Sequence, residues 1–236
     1  CKICIRPLLG IVMLDMKILI ISTFFSLLIL VIISSFFWYK FPFKKYPKYF
    51  TLFSVLFLFG QVLTSSRNFI PDIFSIVTGN TLLVAGYVFL YVGIRDLLNL
   101  EAPWHNRYLM PIGVVLFGFI LFTFIYYSVD MRIVIISIFF AMYSFVISLM
   151  FWKNSTKKFK FIDDISAILF FVGVILFSIR IFRASTVYLP ANYLSTTDLM
   201  ITLVYVYLFF MTIWLSVILI MRAIALFLDK NNINLQ

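Results

Sequence analysis

Residues 18–38 read ILIISTFFSLLILVIISSFFW, an unbroken apolar run that closes on Phe36, Phe37 and Trp38 and meets Lys40 two residues later. The hydrocarbon core of a bilayer is crossed by about 20 such residues at helical rise, and an aromatic end with a cation just beyond it is how a spanning helix meets the headgroups. The run is too long for a signal-peptide core and has no small-residue cleavage site before its aromatic end, so it predicts a first membrane helix.

Working outward from it, the same pattern recurs over Tyr49–Ser66, Ile73–Ile94, Leu109–Tyr127, Ile133–Trp152, Ile165–Phe182 and Leu199–Met221. The runs are continuous, whereas lipid-facing strands would alternate apolar and polar in pieces of about ten residues. The expectation is an all-α polytopic membrane bundle of seven transmembrane helices. Pro42, Pro47, Pro71, Pro103 and Pro190 punctuate the breaks, and Asp72 and Asp198 stand where they would cap the helices after them.

The composition agrees: 64% of residues are hydrophobic, only 12% are charged, and the mean hydropathy is +1.12. The formal net charge of +10 would suit nucleic acid if it formed a stripe. The Lys and Arg instead fall between apolar runs, so the expected partner is the lipid bilayer and not nucleic acid. One side collects Lys40, Lys44, Lys45, Lys48, Arg95, Arg107, Lys153, Lys157, Lys158, Lys160, Arg222 and Lys230. By the positive-inside rule that side is cytoplasmic, giving an outer amino terminus, an inner carboxyl terminus and a place in the cell's inner (plasma) membrane. Three parts follow: a leader 1–16, with Met13 and Met16 as candidate starts in a chain that opens on Cys1, a membrane domain 17–222 and a short cytoplasmic tail 223–236.

Catalytic and metal constellations are missing from the pattern. His105 is the only histidine, Cys1 and Cys4 form a lone CxxC, and Asp163-Asp164 sits at a loop-to-helix junction where capping explains it. No cofactor and no metal are expected. The informative polar residues lie toward the outer helix ends: Gln61, Arg67, Asp72, Asn80, Arg180 and Arg183. Arg180 and Arg183, three apart, project from nearly the same face, with Asp72 as a counterion. Two readings stay open. The arginines snorkel to the interface while Asn80 bonds neighbouring helices, or Arg67, Asp72, Asn80, Arg180 and Arg183 line an outward cavity for a small anionic ligand. Gly79, Gly86 and Gly93, seven apart, give a smooth strip for helix packing.

The stretch Ile70-Pro71-Asp72-Ile73-Phe74-Ser75-Ile76-Val77-Thr78-Gly79-Asn80, followed by Gly93-Ile94-Arg95, carries a family look, as does Arg183-Ala184. It resembles the seven-helix membrane sensor region that precedes GGDEF domains in bacterial diguanylate cyclases, from about Tyr49 to Met221. The resemblance implies a sensory input region whose last helix continues into a cytoplasmic signalling helix and a cyclase, with helix displacement in a homodimer. The sequence reaches Gln236 without a GGDEF region, so no enzyme activity is assigned to these residues. The alternative is a small seven-helix transporter on a three-plus-one-plus-three plan, drawn from the echo of basic loop, outer Arg and helix-opening Asp in spans one to three and five to seven.

Overall fold

A computed structural model describes residues 16–67, 69–100, 106–155, 157–186 and 199–233. Cys1, Cys4, Met13, Pro103, His105, Pro190 and Asp198 lie outside them, as do the bulk of the leader and the last residues of the tail. The described residues form seven helices and no strand: α1 Met16–Lys40, α2 Tyr46–Ser65, α3 Ile73–Leu97, α4 Asn106–Ile120, α5 Val129–Lys153, α6 Lys160–Thr186 and α7 Leu199–Ile233. All but α4 are long and apolar enough to cross a membrane, and α4 is prolonged by a π-helical turn, Leu121–Ile125.

Several boundaries differ from those the apolar runs predict. Pro47 lies inside the first turn of α2, where its missing N–H is no loss, so it starts a helix instead of breaking the chain. Asp72 makes no capping bond; α3 opens on a π-helical turn, Ile73–Thr78, in which the Thr78 hydroxyl donates to the Ile73 carbonyl at 3.0 Å. At its other end α3 stops at Asn99, whose φ of 54° lets the Leu100 and Asn99 N–H groups reach back to the Arg95 and Asp96 carbonyls at 2.9 and 3.1 Å. The last helix runs on to Ile233, well past Met221.

Unlike those of a water-soluble bundle, the helices are apolar on their outer faces as well as in the core. Along α1, Ile18, Ile21, Phe25, Ile29, Ile32 and Phe36 share one face and are exposed, while Thr23, Ser26 and Ser34 are buried. In water that arrangement would be unfavourable; in lipid it buries the polar groups and offers hydrocarbon to hydrocarbon. Each of these three hydroxyls is bonded. Thr23 donates to the Leu19 carbonyl at 2.8 Å, Ser26 shares a 2.6 Å hydrogen bond with Thr212 of α7, and Thr51 of α2 donates to Ser34 at 3.0 Å. This is the exterior and interior of a multi-pass membrane protein.

With no hydrophobic drive between helices in lipid, close packing and such bonds hold them together. The tightest pairs are α2 with α3 and α5 with α6, and α1 packs on both α2 and α7. Gly79, Gly86 and Gly93 all face α2, and there Gly60 faces back. A Cβ on Gly60 would stand 2.8 Å from the Gly79 carbonyl oxygen, and one on Gly86 3.1 Å from that of Phe53, so backbone touches backbone.

Candidate functional site

At the end of the bundle where α2, α4 and α6 finish and α3, α5 and α7 begin, a cavity of about 140 Å³ lies between the helices. Three cations line it: Arg67 from the turn after α2, Arg132 from the first turns of α5, and Arg180 from near the end of α6. Gln61, Thr64, Ser75, Asn80 and Tyr205 add polar atoms, and the rest of the wall is aromatic and aliphatic, with Phe57, Phe119, Phe140 and Phe177 among its members. No carboxylate among the described residues lines it.

Of the sequence-derived site residues, Arg67, Asn80 and Arg180 meet here. Asp72 is exposed and does not line the cavity, and neither does Arg183, although it lies three residues from Arg180. Arg132 was not among the sequence-derived site residues, yet it is only 4% exposed. A usable signal existed, because Arg132, Ile136 and Phe140 recur every four residues and therefore share one helix face.

Local structure fixes these side chains. Ser128 sits in extended conformation, caps α5 and accepts from the Met131 N–H at 3.3 Å, which starts the helix just before Arg132. The Arg132 guanidinium lies 5.1 Å from the Tyr127 ring centre, a cation–π contact. Neither of its terminal nitrogens has a hydrogen-bond partner among the described residues. The Gln61 amide donates to the Ile20 carbonyl at 3.2 Å and leaves its Oε1 buried without a partner among the described residues. Asn80 donates to the Ile76 carbonyl at 2.6 Å, tying its side chain to the π turn of α3, and Ser75 and Ile76 of that turn are themselves wall residues. Single π-helical turns of this kind are frequent at functional sites.

The field is positive. Burial lowers the pKa of Arg67 below the ordinary arginine value, the Arg132 charge lowers it further, and Tyr127 and Asp72 oppose them. Two cations that disfavour each other are held together at one site.

Beneath the cavity lies an aromatic floor. Phe140 stands 4.9 Å from Tyr87 and 5.2 Å from Phe177, and the Tyr87 hydroxyl is 2.7 Å from that of Ser144. Phe177 meets Tyr207 of α7 edge-on at 6.0 Å, beside Gly173, where a Cβ would overlap the Tyr207 hydroxyl.

The far end of the bundle is closed differently. Asp163, expected to cap α6, is instead wholly buried, and its carboxylate accepts from Arg222 of α7 at 2.7 Å. The guanidinium of Arg222 covers the Phe159 ring at 3.9 Å, and the Trp214 Nε1–H donates to Ser166 at 2.9 Å one turn deeper. Asp164 points outward and is exposed. Among the described residues no group of His, Cys, Asp and Glu has a metal-binding arrangement.

Comparison with protein-family models, with curated proteins and with solved structures returns no match.

Proposed function

We propose that this chain is a membrane sensory unit. The arginine end faces outward, the lysine-rich end faces the cytoplasm, and occupancy of the cavity is carried across the bilayer by α7. The observation that carries this reading is the course of α7. Ile201, Val204, Tyr205 and Leu208 form part of the cavity wall, Arg222 is latched to Asp163 at the opposite end, and the helix continues to Ile233. A 35-residue helix spans about 50 Å at 1.5 Å per residue, against a hydrocarbon core of about 30 Å. A rigid rod that forms a binding wall at one end and projects at the other transmits a displacement without chemistry of its own.

The distribution of Lys and Arg supports the orientation. The resemblance to membrane regions that precede GGDEF domains supports the class of function, with a homodimer and a GGDEF-type or other cytoplasmic output as the partners it implies. The transporter alternative needs spans one to three and five to seven to be equivalent halves. The tightest pair is the second with the third helix in the first triplet and the first with the second in the other, so the packing does not favour it.

Arg132→Glu tests the coupling without any ligand, because it places an anion in the cavity that Arg67 and Arg180 also line. Spin labels at the exposed positions Phe161 and Phe227 report the separation of α6 and α7 at the lysine end in nanodiscs. The expected result is a displaced distance distribution in Arg132→Glu; identical distributions in the variant and the parent refute the coupling.

A further inference from the structure

The ligand class follows from what the cavity presents, and it rests on the reading of this cavity as the input site. A guanidinium that is 4% exposed, with both terminal nitrogens unpartnered among the described residues, is a costly thing to keep inside a membrane protein. It stands in the first turns of α5, where the helix's own N–H groups already contribute positive partial charge. Arg67 and Arg180 also line the cavity and add charge of the same sign. A cation is repelled from such a place and a neutral molecule leaves the charge unanswered.

Size and surface narrow the class. About 140 Å³ is far more than the roughly 10–15 Å³ that one water needs, so a simple inorganic ion would leave most of the space unfilled. Most of that space is bounded by Phe57, Phe119, Ile133, Ile136, Phe140 and Phe177. We infer that the cavity binds an amphiphile with one anionic head, a carboxylate or a phosphate, that pairs with Arg132 and lays a short apolar body against the phenylalanines. Arg132 supplies a planar fork for two oxygens of the head, and the partnerless Gln61 Oε1 accepts from a hydroxyl if the ligand carries one. The same head chemistry is found in a free carboxylic acid and in an anionic phospholipid.

The test uses the whole chain in nanodiscs and reads thermal unfolding and calorimetric binding. In phosphatidylcholine discs, octanoate raises the unfolding temperature in a saturable way, whereas 1-octanol, octylamine and inorganic phosphate do not. Arg132→Gln weakens octanoate by about 10- to 100-fold, as expected for loss of one charged hydrogen-bonding partner, and Arg183→Gln, outside the cavity, leaves it unchanged. Should Arg132→Gln unfold, Ile136→Trp, which fills the apolar half, abolishes octanoate binding by an independent route. If phosphatidylglycerol discs give the same stabilisation and exclude octanoate in an Arg132-dependent way, the occupant is a lipid headgroup; if they leave octanoate binding intact, it is a soluble acid. Octanol binding as well as octanoate, or octanoate binding unaltered in both Arg132→Gln and Ile136→Trp, overturns the inference. Binding without movement of the Phe161 and Phe227 labels refutes the coupling reading alone, and movement in Arg132→Glu without octanoate binding refutes the ligand class alone.

Discussion

Arg132 and Arg222 are the same residue type, both largely buried at opposite ends of one bundle, and they are used in opposite ways. Arg222 is 11% exposed, holds a carboxylate at 2.7 Å and covers an aromatic ring. Arg132 has an aromatic ring and no hydrogen-bonded partner among the described residues. Two arginines that apolar sequence would treat alike are told apart only by what the fold brings to them. A guanidinium paired with a carboxylate locks two helices, and one without such a pair at a cavity wall is an invitation to an anion.

The comparison fails or sharpens under substitution, beginning with the pair itself. Asp163→Ala strands Arg222 and is expected to cost about 3–5 kcal/mol, seen as a large fall in unfolding temperature, while Asp163→Leu combined with Arg222→Met recovers most of it. If the single and double variants melt together, the pair is not the lock described. Next in size is the backbone contact between α2 and α3. In Gly86→Val the new side chain meets the Phe53 carbonyl and the Phe57 amide, and about 1–3 kcal/mol of overpacking follows. Cross-linking of α2 to α3 through introduced cysteines reports whether that interface has opened.

Smaller still is Ser26→Ala. It removes one interhelical hydroxyl bond between α1 and α7, for which about 0.6 kcal/mol is typical in a membrane interior. Last, because it is opposite in sign, is Arg132→Met in ligand-free protein. Removing a buried cation whose terminal nitrogens have no hydrogen-bond partner among the described residues relieves the cost of its burial and is expected to raise the unfolding free energy by about 1–3 kcal/mol. A loss as large as that of Asp163→Ala would show Arg132 to be a second lock and erase the distinction between the two ends.

The helices were legible in the sequence because a membrane span is a one-dimensional signal: about 20 apolar residues can be counted without knowing any neighbour. The course of α7 was not. Arg222 looked like the edge of the membrane and Asp163 like a helix cap, and both misreadings have one cause. Their ion pair joins residues 59 apart in the chain, which no local pattern reveals. The cavity was partly legible. Arg67, Asn80 and Arg180 were conspicuous as polar residues in apolar surroundings, and all three line it. Asp72 and Arg183 were equally conspicuous but lie outside the wall, because their position around the helix, and not their depth, decides what they meet. Arg132 was not among the candidates, since its burial is a property of the packed bundle and not of its flanking residues.

The bond between Ser26 and Thr212 bears on how such a bundle is made. A ribosome releases α1 first and α7 last, so Ser26 enters the bilayer long before the helix that will meet it has been synthesised. The Ser26 hydroxyl also lies 2.8 Å from the Thr23 carbonyl and the Thr212 hydroxyl 2.9 Å from the Phe209 carbonyl, and because each carries one proton, one of the two must turn it from its own carbonyl to its partner when they meet. Each hydroxyl has a partner on its own helix, so α1 can wait in lipid without a bare polar group, and the arrival of α7 exchanges a local bond for the contact that closes the ring.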